Sequence, residues 1–164
     1  MICGKVWKYG ENLDTDAIYP GKYLVYFDPE EVARHAMEGI DPEFLQKVKP
    51  GDIVVAGGNF GTGSAREQAA LALKYVKIGL VIAESFSRTF YRNAIAIGLP
   101  VLELKGITKA VAEGDELSVD LQTGFIENRT TGWSGKAAEQ PELLLKMIAA
   151  GGALHYYKNK LAKG

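Results

Sequence analysis

The sequence holds one cysteine, Cys3, in 164 residues. A single thiol cannot form a disulfide within the chain, nor can it build a cysteine-ligated metal or cluster site there. No apolar run approaches the roughly 20 residues of a membrane-spanning helix. The opening residues, MICGKVWKYG, lack the apolar stretch of a secretory signal. An excess of either charge is missing too: 19 Lys and Arg stand against 20 Asp and Glu, a formal net charge of −1. That balance leaves no basic footprint for nucleic acid. Tyr156-Tyr157 with Lys158, Lys160 and Lys163 is too small a patch to bind nucleic acid or a membrane surface. These absences imply a folded, cytoplasmic chain, and 164 residues suffice for one real core but hardly for two.

Glycine is abundant instead, at 19 residues against a usual share of about 7%. The glycines follow no period, which excludes collagen and low-complexity readings and leaves special backbone positions within a fold. The alternation over residues 2–9 predicts a strand, followed by a long polar loop, ENLDTDAIYPG. Asp28-Pro29 with Glu31 reads as a capped helix start, and Asp41-Pro42-Glu43 repeats the signal before a short helix at 44–48. Next come a buried strand at 53–56, a helix from Ser64 to about Val76, and a second buried strand at 80–83. A helix over 86–97, closed by Gly98 and Pro100, leads to a strand at 101–104. This strand–helix alternation predicts right-handed crossovers in a parallel sheet. Residues 113–131 read as an antiparallel hairpin turning at Gln122-Thr123-Gly124, and a tail helix from Pro141 is interrupted at Gly151-Gly152. With no repeat and no linker, the fold class is α/β, a mixed and largely parallel sheet flanked by helices in one unit, 1–164.

The loop joining the strand at 53–56 to the next helix reads GGNFGTGSARE. Its glycines allow close backbone approach to a ligand, and a helix start offers free N–H groups to an anion. It is not a P-loop, because no lysine follows Gly63, and not a dinucleotide fingerprint, because Arg66 stands where the third glycine belongs. Ser64-Ala65-Arg66-Glu67 fits a capping box, so Ser64 has a purely structural reading as helix cap. Arg66 favours more, since a cation in the first turn opposes the helix dipole unless an anion lies nearby. A substrate carboxylate or phosphate would be such an anion. Asp14 and Asp16 are either turn-forming residues or paired carboxylates of a site.

The stretch GNFGTGSAREQAALALKYVKIGLVIAESFSRTFYRNAIAIGLP, together with NLDTDAIYPGKYL near the start, resembles the swivelling domain of the aconitase superfamily. The resemblance is to its stand-alone small subunits, those of isopropylmalate dehydratase and homoaconitase, and it covers residues 1 to about 120. It implies a single swivelling-type β/β/α domain. It also implies Ser64 as the base that removes a proton beside a carboxylate, and Arg66 as the ligand of a substrate carboxylate. Asp16 would serve as a site residue orienting one of them, with Gly61 and Gly63 lining the anion site. Ala65 stands where relatives often carry a second serine. The segment Tyr23-Leu24-Val25-Tyr26, by itself a strand fragment or core piece, falls at the family's specificity loop.

Homoaconitase-type chains carry an arginine at the position of Val25, so an apolar residue there points to the isopropyl group of an alkylmalate. Smaller, citramalate-type acids stay open as substrates, as does a homoaconitase-like activity. The implied reaction is a dehydration and rehydration that moves a hydroxyl between adjacent carbons in leucine biosynthesis. The family uses a [4Fe–4S] cluster with three cysteine ligands, which one cysteine cannot supply. The resemblance therefore places the cluster on a separate large subunit. A non-catalytic anion-binding module that regulates a partner is the alternative of another class. Cys3, His35 and His155 read as packing or surface residues, and Arg88 with Arg92 as a solvated or structural helix face, or as one that docks the partner or shapes the anion site.

Overall fold

The computed structural model describes every residue, Met1–Gly164. It begins with β1 (Ile2–Lys8), α1 (Thr15–Ile18), a 3₁₀ turn (Gly21–Tyr23), α2 (Pro29–Ala33) and α3 (Phe44–Lys47). Then come β2 (Ile53–Ala56), α4 (Glu67–Tyr75), β3 (Leu80–Ala83), α5 (Arg88–Ile97), β4 (Val101–Glu103) and α6 (Ile107–Ala110). The chain finishes with β5 (Glu116–Val119), β6 (Phe125–Asn128), β7 (Ser134–Lys136), α7 (Glu142–Ala149) and α8 (Ala153–Lys163).

The strands form one sheet in the order β4-β3-β2-β1-β5-β6-β7. Neighbours from β1 to β4 run parallel, and β5, β6 and β7 add antiparallel pairs on the other side of β1. The α/β class with a mixed sheet is therefore what the chain adopts. β1 is the seam between the two halves. Its first residues, Ile2–Lys5, pair with β5, and Val6–Lys8 pair with β2.

Side-chain alternation divides the core between the sheet's faces. Ile53, Val55, Leu80 and Ile82 join Val6, Leu117, Val119 and Ile126 in one cluster, whereas Val54, Ala56, Val81 and Ala83 meet α4 and α5 residues in the other. Because β2 and β3 are buried on both faces, they read as unbroken apolar runs, as central parallel strands do.

Local differences from the sequence expectation have identifiable causes. The polar loop contains a helical turn, α1, because the Asp14 carboxylate accepts the Ala17 N–H at 2.7 Å. The Asp28 cap forms on Glu31 N–H, but Asp41 does not cap α3; one carboxylate oxygen accepts the Tyr9 hydroxyl at 2.9 Å and the other the Glu43 N–H at 3.3 Å, ahead of the helix. α5 starts at Arg88 because the Ser87 hydroxyl accepts from the Phe90 N–H. Small residues hid β7, whose Ser-Gly-Lys carries no apolar alternation. Cys3 is exposed, not packed, with its Sγ 3.7 Å from the Ser118 hydroxyl on the paired strand.

Candidate active site

The parallel pairing of β1 and β2 continues past both strands and builds the site. Gly57 N–H donates to Gly10 C=O, Asn12 N–H to Gly58 C=O, Gly61 N–H to Leu13 C=O and Thr15 N–H to Thr62 C=O, at 2.8 to 3.1 Å. On the other side, Asn59 N–H meets the Ser85 hydroxyl at 2.7 Å and Phe60 N–H meets Ser85 C=O at 3.0 Å. The glycine loop is thus sewn between the exits of β1 and β3. Running side by side, the two loops bring Asp14-Thr15-Asp16 next to Ser64-Ala65-Arg66.

The two aspartates divide their duties. Asp14 is a helix cap, the structural role open to it. Asp16 accepts from Arg66 Nη1 at 2.8 Å and, through the same oxygen, from Gly21 N–H at 2.8 Å. The Arg66 guanidinium is the main cause, with the Gly21 N–H second, of an Asp16 carboxyl held below the usual carboxylate range. Arg66 Nη1 also reaches Tyr19 C=O at 3.3 Å, so the arginine is fixed from two directions, with its side chain only 18% exposed. Nη2 makes no hydrogen bond within the chain.

Ser64 is exposed, and the capping box does not form. α4 begins at Glu67, and Arg66 occupies the cap position in extended conformation without a side-chain cap. The Ser64 carbonyl explains this. It accepts from the Thr15 hydroxyl at 3.0 Å and from Arg66 N–H at 2.9 Å, a tight turn, and is thereby lost to the helix. The Ser64 hydroxyl makes no hydrogen bond within the chain, and the N–H groups of Gly63, Ser64 and Ala65 donate to nothing in it. A free hydroxyl, successive free amides and an arginine paired with Asp16 lie together here, hydrogen-bond donors of the kind an anion takes.

Gly63 is exposed at φ +98°, where the chain turns towards Ser64. Gly61 must be corrected as a direct ligand contact. It is buried, its N–H and C=O are taken by Leu13 and the Ser87 hydroxyl, and a Cβ would lie 2.4 Å from Phe90. It shapes the loop. In the 24–26 segment Leu24 is half-buried against the core, whereas Val25 is 74% and Tyr26 38% exposed. The segment is a turn rather than the strand its residues suggest. Arg88 and Arg92 line a cleft of about 670 Å³ with Tyr91, Glu103 and Gln140, and this cleft includes neither Ser64 nor Arg66.

Residues 11–106 match the model of the aconitase C-terminal domain family. The isopropylmalate/citramalate isomerase small subunit of Methanocaldococcus jannaschii is 56% identical over 99% of this chain and 97% of its own length. The 3-isopropylmalate dehydratase small subunit of Nautilia profundicola is 50% identical over 98% and 96%. The chain belongs to the 3-isopropylmalate dehydratase small-subunit family. The crystal structure of 3-isopropylmalate dehydratase (leuD) from Methanocaldococcus jannaschii superposes with a TM-score of 0.92 at 45% identity, covering 98% of this chain and 95% of that one. As in any small subunit, function implies a large-subunit partner in a hetero-oligomer.

Within this family member, sequence reasoning missed Thr15, whose buried hydroxyl sets the Ser64 turn, and Glu38, which holds Tyr23 and His35. Thr15 had a signal, as the residue between two aspartates in a loop rich in turn formers. Glu38 had none.

Proposed function

We propose that this chain is the half of a cytoplasmic 3-isopropylmalate dehydratase that supplies the base and the alkyl-selecting segment, completing an active site with the large subunit. The observation that carries the reading is the unpaired Ser64 hydroxyl beside Arg66, itself oriented by Asp16. Arg66 Nη2 and the free amides of Gly63–Ala65 bind a substrate carboxylate. Ser64 Oγ takes the proton from the carbon beside it. Serine is a weak base unless its oxyanion is stabilised, and the adjacent guanidinium and amides provide potential of that sign. Loss of this proton and of the hydroxyl as water forms an isopropylmaleate-type double bond. Water then adds in the opposite sense, and the hydroxyl ends on the neighbouring carbon.

Departure of the hydroxyl calls for a Lewis acid that these residues do not fit: there is one cysteine, and no group of three His, Cys, Asp or Glu side chains is placed to hold a metal. The reading assigns that part to a [4Fe–4S] cluster on the large subunit. Val25 faces the alkyl group. The relative named for both isopropylmalate and citramalate favours a second, broader reading in which a methyl group is accepted as well.

Reconstitution with a cluster-loaded large subunit under anaerobic conditions tests this. Isomerisation of 3-isopropylmalate is expected with the parent chain. Ser64→Ala should assemble normally and lose about 10²–10⁴-fold in kcat. A fully active variant overturns the base assignment.

A further inference from the structure

The segment that carries Val25 has almost no backbone support. Leu24 N–H and Tyr26 N–H bond only to Gly21 and Tyr23, within their own turn, and Val25 and Phe27 are 74% and 79% exposed. Side chains hold it instead. The Tyr23 ring stacks on the His35 imidazole with centroids 3.5 Å apart and planes 10° off parallel, and Tyr26 lies along the same imidazole at 5.8 Å and 14°. Glu38 ties the assembly together. One carboxylate oxygen accepts the Tyr23 hydroxyl at 2.6 Å, and the other meets His35 Nδ1 at 2.6 Å. The buried Tyr19 hydroxyl donates to Tyr23 C=O at 2.6 Å, which anchors the start of the segment in the core.

Tyr23 and Tyr26 flank Val25 in sequence, so one imidazole plane fixes the chain on both sides of it. We infer that His35 and Glu38 are positioning residues that set where Val25 meets the substrate's alkyl group, an inference that rests on the reading of Leu24–Tyr26 as the alkyl-facing segment. Neither touches the reacting atoms. Their effect is on the fraction of molecules whose segment is already in its binding arrangement, and apparent affinity scales with that fraction. Stacking and charge-assisted hydrogen bonds suit such a task, because they fix ring orientation as well as distance.

The test uses the reconstituted complex with 3-isopropylmalate and with citramalate, whose alkyl group is a methyl. Glu38→Ala removes both carboxylate contacts. Its KM for 3-isopropylmalate should rise about tenfold while kcat stays within about twofold, the pattern of lost uniform binding. The preference for 3-isopropylmalate over citramalate should shrink, because the smaller acid depends less on Val25. Glu38→Gln keeps an acceptor for the Tyr23 hydroxyl and should return KM to within about threefold of the parent. His35→Phe keeps the stacked plane without the Nδ1 bond and should fall between these. An unchanged KM and preference in Glu38→Ala overturns the inference. So does a loss confined to kcat and equal for both acids, as a merely less stable fold would give. Val25→Arg separates the two readings. If it leaves selectivity untouched, the alkyl-facing assignment itself fails; a Val25 effect without a Glu38 effect removes only the positioning role.

Discussion

The glycine loop 57–63 and the segment 21–27 meet at the Asp16–Arg66 pair and are built in opposite ways. The first is fastened by backbone bonds to the exits of β1 and β3, with Gly61 pressed against Phe90. The second is tethered mostly by aromatic and carboxylate side chains around an exposed valine. Backbone fastening carries the loop to Ser64 and Arg66 where the sheet puts it, and the Thr15 hydroxyl and the Asp16 carboxylate complete their setting. Side-chain tethering lets the surface around Val25 change by substitution without disturbing that geometry. On the proposed function, chemistry belongs to the backbone-fastened part and selectivity to the part tethered by side chains.

The contrast is broken most severely at Gly61. Gly61→Ala puts a Cβ 2.4 Å from Phe90 at a φ of +78°. It should cost about 3 kcal/mol, combining backbone strain with overpacking. Urea unfolding would show this as a lower midpoint with an unchanged slope, and a parent-like midpoint would mean that the loop yields. A smaller effect concerns Asp16. Because Arg66 lowers its folded pKa, Asp16 stays ionised as pH falls through the ordinary carboxylate value, and the pairing is lost only on passing through the lower, folded value. In Arg66→Met the midpoint should move back up, part of the way, since the Gly21 N–H remains. Carboxyl-carbon NMR measures it, and an unmoved midpoint would place the cause elsewhere. The smallest effect sharpens the comparison from the other side. Val25→Arg, at a site 74% exposed, should leave stability within about 0.5 kcal/mol of the parent, while on the proposed function it should alter substrate preference in the complex.

What was legible from sequence follows the same division. IVVA and LVIA announce buried parallel strands, and the glycine at the end of α5 and the proline before α7 mark helix ends where they occur. These signals are local, so local reading succeeds. Ser64 misleads for the converse reason. Its S-x-x-E pattern is complete in sequence, but the Thr15 hydroxyl, 49 residues away, competes for its carbonyl. Arg66 does have an anion beside it, as its place suggests, yet Asp16 of the chain itself is that partner, 50 residues off. Asp14 and Asp16 look alike until the packing of the two loops separates cap from ion pair. In the Tyr23–His35–Glu38 cluster only the i,i+3 spacing of His35 and Glu38 is local; Tyr23 joins them from 15 residues before Glu38, which no local pattern announces.

The seam at β1 carries a consequence for how the molecule is made. β1 is synthesised before both strands it pairs with, and it gains its parallel neighbour once Ala56 has emerged. Its other edge stays open until Val119 follows, with Ile2 finding a partner 117 residues later. Contacts this distant close slowly, because the chain must order much of its length before they form. During that interval Ile2–Lys5 is an unpaired strand edge, open to other chains. The step most sensitive to crowding at the ribosome, or to a bulky fusion ahead of β1, is therefore this late closure, while the sheet half that carries the glycine loop is already in place.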